Sequence, residues 1–371
     1  MMKFPCLIFL LILTGLTPID PAYAQTSAPV FTPASDLTLV GKLLPTTNIY
    51  HRLDTAAYPA LPSAVKKLLT NSAGLAVTFR TSSTTISARW TVSSKKQLGN
   101  MTSIANKGLD LYIKKDGHWQ YAGSGSSSGV ENNTVLVKNM DNSVKECLLY
   151  MPLYDEISDL QIGTDPNAFI KPGEDPFKKR ILVYGSSIVQ GASASRPGLA
   201  YPARLSRETG LNFLNLGLSG SAKMEKAAAD MVASIPADAY ILDCVPNSSP
   251  EQITERTAYF VSRIREQHPE APVIIVQSII REQGNFDQTV KQRVEDQNAN
   301  MEKQFQLLRQ KGIEGLYLIS SQDMLGQDHE GTIDGVHPND LGFDRMIQIL
   351  KPEILKILGK HNIRAGNGFR K

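Results

Sequence analysis

Cysteine is scarce in this chain, three in 371 residues, which excludes the disulfide-stapled scaffolds that small secreted domains use in place of a core. Charge of one sign is also missing. Lys and Arg total 39 against 36 Asp and Glu, a formal +3, and no long Lys/Arg block concentrates it, so the electrostatic footprint of nucleic-acid binding is absent. Neither a Gly-x-Gly-x-x-Gly turn nor a Walker A loop occurs, which leaves nucleotide cofactors without support. No internal repeat is apparent, so solenoids and propellers fall away. The one long apolar run, Phe4 to Leu16, is too short for an ordinary membrane span.

What is present is an ordinary globular composition. Hydrophobic residues make up 42% and charged residues 20%, enough apolar surface to bury a core and too little net charge for disorder. At roughly 100–200 residues per domain, the length suggests two domains.

The first residues read as an export leader. Lys3 precedes the apolar run, Pro18 and Pro21 break it, and Ala22-Tyr23-Ala24 before Gln25 has the small-x-small pattern of a signal-peptidase site. Removal of residues 1–24 predicts an exported product, periplasmic or extracellular, with no membrane span. A lipid-anchored Cys6 is the weaker reading, because Cys6 lies at the start of the run rather than at a cleavage point. Cleavage leaves Cys147 and Cys244, readable as a disulfide or as two buried thiols.

The pattern changes character near residue 175. Before it, Leu75, Val77 and Phe79, then Ile86, Ala88, Trp90 and Val92, alternate with polar residues, the period of half-buried strands. Leu109 to Ile113 and His118 to Tyr121 flank Asp116-Gly117, a hairpin dipeptide. Val135 to Val137 and Val144 to Met151 add strands. Residues 30–172 are therefore expected to form an antiparallel β-sandwich, jelly-roll-like in character.

After Pro172-Gly173-Glu174-Asp175-Pro176, short apolar runs at Ile181 to Tyr184, Phe213 to Leu216, Tyr240 to Leu242, Val273 to Val276 and Leu316 to Ile319 alternate with helical stretches near 200–209, 224–235, 250–267 and 288–311. Ser249 and Pro250 open the third helix as N-cap and first residue. Five doubly buried strands with intervening helices predict a three-layer α/β/α domain on a parallel sheet over 178–358, with a tail from 359 to 371. Chemistry in such sheets gathers at the carboxyl ends of the strands.

Four strand-end segments hold the relevant residue types. Tyr184-Gly185-Ser186-Ser187 can lift a serine clear of the sheet at a helix start. Gly217-Leu218-Ser219-Gly220 can bring a backbone N–H close to a ligand, and Val245-Pro246-Asn247 sets an amide at the same edge. Asp334-Gly335-Val336-His337 can orient an imidazole toward a nucleophile. Each alone also reads as a plain turn, and Asp334 and His337 as a turn cap and a surface histidine.

Together and in this order, the four segments resemble the SGNH hydrolases, or GDSL-type esterases, over about residues 178–358. The resemblance implies a flavodoxin-like α/β/α domain and a serine esterase that needs no cofactor and no metal. It makes Ser187 the nucleophile, His337 the general base and Asp334 its orienting carboxylate, with the N–H groups of Ser187 and Gly220 and the amide of Asn247 as oxyanion donors. Two departures stand out: Ser186 replaces the family's Asp, and Val245-Pro246 replaces the Gly-x before Asn247. Tyr50-His51-Arg52-Leu53-Asp54 and Ser72 to Val77 are similar to the β-rich domain that precedes the catalytic domain in secreted bacterial members, which implies an acylated carbohydrate, or another small ester, as substrate.

Other readings stay open. A lipase or thioesterase of the same superfamily, and a non-catalytic glycan-binding protein, are the alternatives. Asp328-His329-Glu330 offers metal-ligand types. Cys244 reads as packing, and His51, His118, His268 and His361 as structural or solvated. Loops such as Ser193 to Arg196 and Arg281 to Asn285 are polar, which favours a short acyl group on a hydrated sugar. Oligomeric state, the sugar and any contact of the sandwich with substrate are not legible.

Overall fold

Alternation of inward and outward side chains closes the first half of the chain into two antiparallel sheets. The structure is a computed structural model and describes residues 28–366; the leader read over residues 1–24 and the end of the tail lie outside them. One sheet runs Val30–Pro33, Ile157–Thr164, Ile86–Val92, Glu131–Val137. The other runs Ile170–Pro172, Ala76–Thr81, Lys145–Tyr150, Leu109–Lys115, His118–Gly125, with Thr38–Val40 also paired to Ala76–Thr81. Val77, Phe79, Trp90, Leu111, Leu149 and Leu160 fill the space between them. The hairpin at Asp116-Gly117 has φ of 52° and 80°, the double left-handed turn whose twist matches its strands.

The second half is an α/β/α layer. Strands Leu211–Gly217, Lys178–Gly185, Ala239–Asp243, Val273–Val276 and Leu316–Ile319 lie side by side in that order, all parallel. The first strand in sequence is thus second in space, the flavodoxin-like 2-1-3-4-5 order. Helices Lys226–Ala233, Pro250–Gln267 and Gln288–Gln310 cover one face, packing through Met231, Phe260 and Met301. Tyr201–Thr209 and Asp340–Lys360 cover the other through Leu205, Phe343 and Ile354. Ser249 accepts from the backbone N–H of Gln252 in a capping box with Pro250 behind it, so the sequence start signal is used as read.

Three features differ from the sequence reading. Asp340–Lys360 is a 21-residue helix beyond the four helical stretches expected, running through Pro352; Asn339 caps its start by accepting the Gly342 N–H at 2.9 Å. The chain past 358 is not all tail, because that helix continues to Lys360 and Ile363 is buried beneath it. The disulfide alternative also falls: Cys147 and Cys244 are both free and buried, one in the sandwich core and one in the α/β core. Among the described residues no helix is long and apolar enough to cross a membrane.

Candidate active site

Register places the site. Gly185 pairs with Gly217 on one side and with Asp243 on the other, so three chain segments leave the sheet at one level. Ser186 caps the four-residue helix Ser187–Gln190 with its hydroxyl, accepting from Ile188 N–H at 3.2 Å. A hydroxyl thus fills the capping role at the position where the sequence pattern has a carboxylate. Gly217 must be glycine here: an added Cβ would fall 2.1 Å from the backbone N of Gln190, and the close fit seats the helix Ser187–Gln190 on the neighbouring strand.

Ser187 stands at the first helical position, 8% exposed. Its Oγ lies 2.9 Å from Nε2 of His337, and Nδ1 of His337 lies 2.8 Å from Oδ2 of Asp334. The loop carrying the pair is shaped by Asp334 itself, whose Oδ1 accepts the backbone N–H groups of Val336 and His337 at 3.0 and 2.8 Å. Burial alone would raise the Asp334 carboxyl, but hydrogen bonds from the His337 backbone and ring and from Asn100 outweigh it and hold it at about 2. The group is a carboxylate at any working pH.

The three expected oxyanion donors come from the same edge. Ser187 heads its helix, and Gly220 sits at φ 67° in an exposed turn with open space around it. Asn247 ends a 3-10 turn. Its Oδ1 accepts the Ala222 N–H at 3.3 Å, which ties the second and third strand-end loops together and leaves the amide N–H groups to point elsewhere.

Sequence reasoning does not reach the groups that hold these loops, because most are supplied by the sandwich. Arg52, fully buried, donates to the backbone oxygens of Gly217 and Asn215 at 2.8 and 3.3 Å and to Leu68 O at 2.6 Å; burial pulls its guanidinium down to about 9. Gln190 donates to Asn71 and Leu153 while its Oε1 accepts the Ser219 N–H at 3.0 Å. Asp110, buried, receives Arg196 at 2.7 Å and the Gly198 N–H at 2.9 Å. Asn100 donates its amide to Asp334 Oδ2 at 3.1 Å. The only sequence signal was local: Arg52 and Asp110 stand in short motifs whose contacts, more than 80 residues away, no periodicity predicts.

The remaining candidates separate from this centre. Asp328 is held by both Nη atoms of Arg345, at 2.6 and 2.7 Å, whereas His329 turns to Glu282 at 2.8 Å; the two do not converge, and among the described residues no three such ligands cluster. His51 pairs with Glu156 at 2.8 Å, and His268 and His361 meet Ala233 O and the Tyr317 hydroxyl. A cavity of about 550 Å³ is lined by Gln277, Ile280, Arg281, Asn285, Val294 and Asn298 among others. None of its lining residues belongs to the centre; Arg281 links it to the Asn247 turn by donating to Pro246 O at 2.9 Å.

Comparison with known proteins fits this geometry. The family model of the GDSL-like lipase/acylhydrolase family matches residues 178–355, and the model for the N-terminus of SGNH-hydrolase-type esterases matches residues 30–170. The Gly-x-Asp-Leu-Tyr pattern that labels the latter reads Gly108-Leu109-Asp110-Leu111-Tyr112 here. The chain is similar to a crystal structure described as a GDSL-like lipase from Bacteroides ovatus, 56% identical over 89% of this chain and 98% of that one, TM-score 0.88. It shares its fold with a salicylyl-acyltransferase of a tetracycline biosynthetic pathway, 20% identical over 91% and 99%, TM-score 0.73. An acetyl xylan esterase from the rumen bacterium Butyrivibrio proteoclasticus is similar in fold at 11% identity over 90% and 99%, TM-score 0.58. Among curated proteins nothing matches.

Proposed function

We propose, because the chain belongs to the GDSL-like lipase/acylhydrolase family of ester-hydrolysing enzymes, that it is an exported serine esterase removing short acyl groups, O-acetyl above all, from carbohydrates. The observation that carries the chemistry is the unbroken relay from Ser187 through His337 to Asp334, at 2.9 and 2.8 Å. Export rests on the leader pattern of residues 1–24.

In this reading Ser187 Oγ attacks the ester carbonyl as its proton passes to His337 Nε2. The Asp334 carboxylate holds the imidazole tautomer and favours the imidazolium that forms. The N–H groups of Ser187 and Gly220 and the amide of Asn247 take the oxyanion. Collapse breaks the C–O bond to the leaving alcohol, which carries off the proton from Nε2. Water then repeats the sequence on the acyl-enzyme and releases the acid.

The substrate class is supported by the polar loops Ser193 to Arg196 and Arg281 to Asn285, which suit a hydrated sugar; the cavity itself mixes Arg281, Asn285 and Asn298 with Ile280 and Val294. The acetyl xylan esterase supports the architecture only. One observation favours a longer acyl group: Ile280, Phe286 and Ile333, near the same edge, are 57%, 91% and 54% exposed. A p-nitrophenyl ester series decides between them. We expect kcat/KM to fall from acetyl to butyryl to octanoyl, with acetate released from acetylated oligosaccharides. A rise toward octanoyl with no acetate released would overturn the carbohydrate reading and favour a lipase.

A further inference from the structure

We propose that the β-sandwich supplies a positioning residue to the reacting centre: Asn100, on the loop that joins Ile86–Val92 to the helix Ser103–Lys107, fixes the Asp334 carboxylate against His337. The inference rests on the esterase reading and adds to it a part played by the domain that carries none of the reacting atoms.

The hydrogen bonds of Asp334 divide cleanly between its two oxygens. Oδ1 accepts two backbone N–H groups of its own loop. Oδ2 accepts the His337 ring at 2.8 Å and the Asn100 amide at 3.1 Å, and that amide nitrogen lies 3.4 Å from His337 Nδ1. A carboxylate oxygen has two lone-pair directions; here one faces the imidazole and the other faces Asn100. The second bond sets the plane of a carboxylate that is otherwise on an exposed turn, 34% accessible, where water would compete for the same site.

Asn100 is itself tied to the nucleophile side. Its backbone oxygen accepts the Ser193 hydroxyl at 2.9 Å, and Ser193 sits at φ 71° just past the helix that Ser187 begins. Two residues on, Thr102 donates to Ser195 O at 2.6 Å and caps its own helix by accepting the Ala105 N–H. The nucleophile at its helix start and the base on its loop are 150 residues apart, and Asn100 bridges them from a third segment. Its choice of donor also matters: a neutral amide completes the shell of the carboxylate without adding charge beside the imidazole. The charged groups nearby are otherwise engaged. Asp340 accepts the Ser195 N–H, Glu282 pairs with His329, and among the described residues no other sandwich side chain hydrogen-bonds Asp334 or His337.

The test uses the full chain with Asn100→Ala and Asn100→Asp. For Asn100→Ala, kcat on p-nitrophenyl acetate should drop about 10–100-fold, the scale of a misplaced catalytic group, with KM nearly unchanged and the thermal midpoint intact. For Asn100→Asp, a second carboxylate favours the imidazolium, so the acid limb of kcat/KM should move up by about one pH unit, with activity recovering above it. The His337 ring titration followed by NMR should move upward with it. An unaltered kcat in the alanine variant, or an unmoved ring titration in the aspartate variant, would reduce Asn100 to a loop contact. Absence of Ser187-dependent hydrolysis in the unaltered protein would instead sink the esterase reading, and the ring titration would still judge Asn100.

Discussion

The two halves of the molecule spend their polar residues differently. In the α/β domain the strands are apolar on both faces and the reacting types stand in loops at one sheet edge. In the sandwich the charges lie deep: Arg52, Lys107, Asp110 and Asp155 are all at most 2% exposed. Lys107 and Asp155 pair with each other, while Arg52 and Asp110 reach into the α/β domain and grip the loops beside Ser187 and Gly220. Buried charge is costly unless paired and hydrogen-bonded. In the proposed reading, the difference teaches that one domain carries the reacting groups and the other holds the backbone around them.

The sharpest way to break that division is to remove the chemistry alone. Ser187→Ala or His337→Ala should each cut turnover of p-nitrophenyl acetate by roughly 10⁴-fold or more, and the double variant should lose little further, since the residues act as one unit. Thermal midpoints should hardly move. Activity surviving in Ser187→Ala but lost in Ser186→Ala would shift the nucleophile by one residue.

The converse experiment removes a grip and leaves the reacting groups alone. Asp110→Ala leaves the buried Gly198 N–H without its acceptor and Arg196 with only the Tyr112 hydroxyl, and an unsatisfied buried donor costs about 1–3 kcal/mol. Asp110→Asn keeps an acceptor for Gly198 and should lose less. Denaturant unfolding measures both. An alanine variant as stable as the parent would make the sandwich a mere appendage.

How much of this was legible follows the same line. Strands with clean alternation, such as Ile86–Val92, and apolar runs such as Val273–Val276 declare themselves, because burial of one face or two writes a period into the sequence. Ile157–Thr164 does not: its pairing with Ile86–Val92 slips between Thr91 and Val92, and the bulge breaks the period of two. Asp340–Lys360 hides behind Pro352. The residues of the relay are visible because their chemistry demands particular types in short segments at strand ends. Asp110, Arg52 and Asn100 act through contacts 86, 165 and 234 residues away in sequence, with Arg196, Gly217 and Asp334, and an Asn in a polar loop carries no mark of its partner.

Asn247 sharpens the comparison on the chemical side. In the proposed mechanism its amide binds charge that develops only in the transition state, so Asn247→Ala should lower kcat by about 10²–10³-fold with a smaller change in KM. Steady-state kinetics on p-nitrophenyl acetate separate the two constants. A change confined to KM would make Asn247 an ordinary substrate contact.

The smallest effect tests the exception to the pattern. Asp243 is a buried carboxyl of the α/β domain whose hydrogen-bond partner is the Tyr201 hydroxyl, at 2.8 Å, rather than a cation. Burial pushes it up to about 7 against the pull of that hydroxyl. Its folded value lies above the unfolded one, near about 3.9, so the folded state holds the proton more tightly. The resulting stability is fully present below pH ~4 and is lost as pH rises through about 7. Asp243→Asn stays neutral and can still accept from Tyr201, so it escapes this loss. The variant's thermal midpoint relative to the parent should therefore improve between pH 5 and pH 8, by about 2–4 °C for an effect of about 1 kcal/mol in a domain of this size. A difference that stays constant across that range would mean the carboxyl does not titrate there, and the α/β domain would then bury unpaired charge where the sandwich pairs its own.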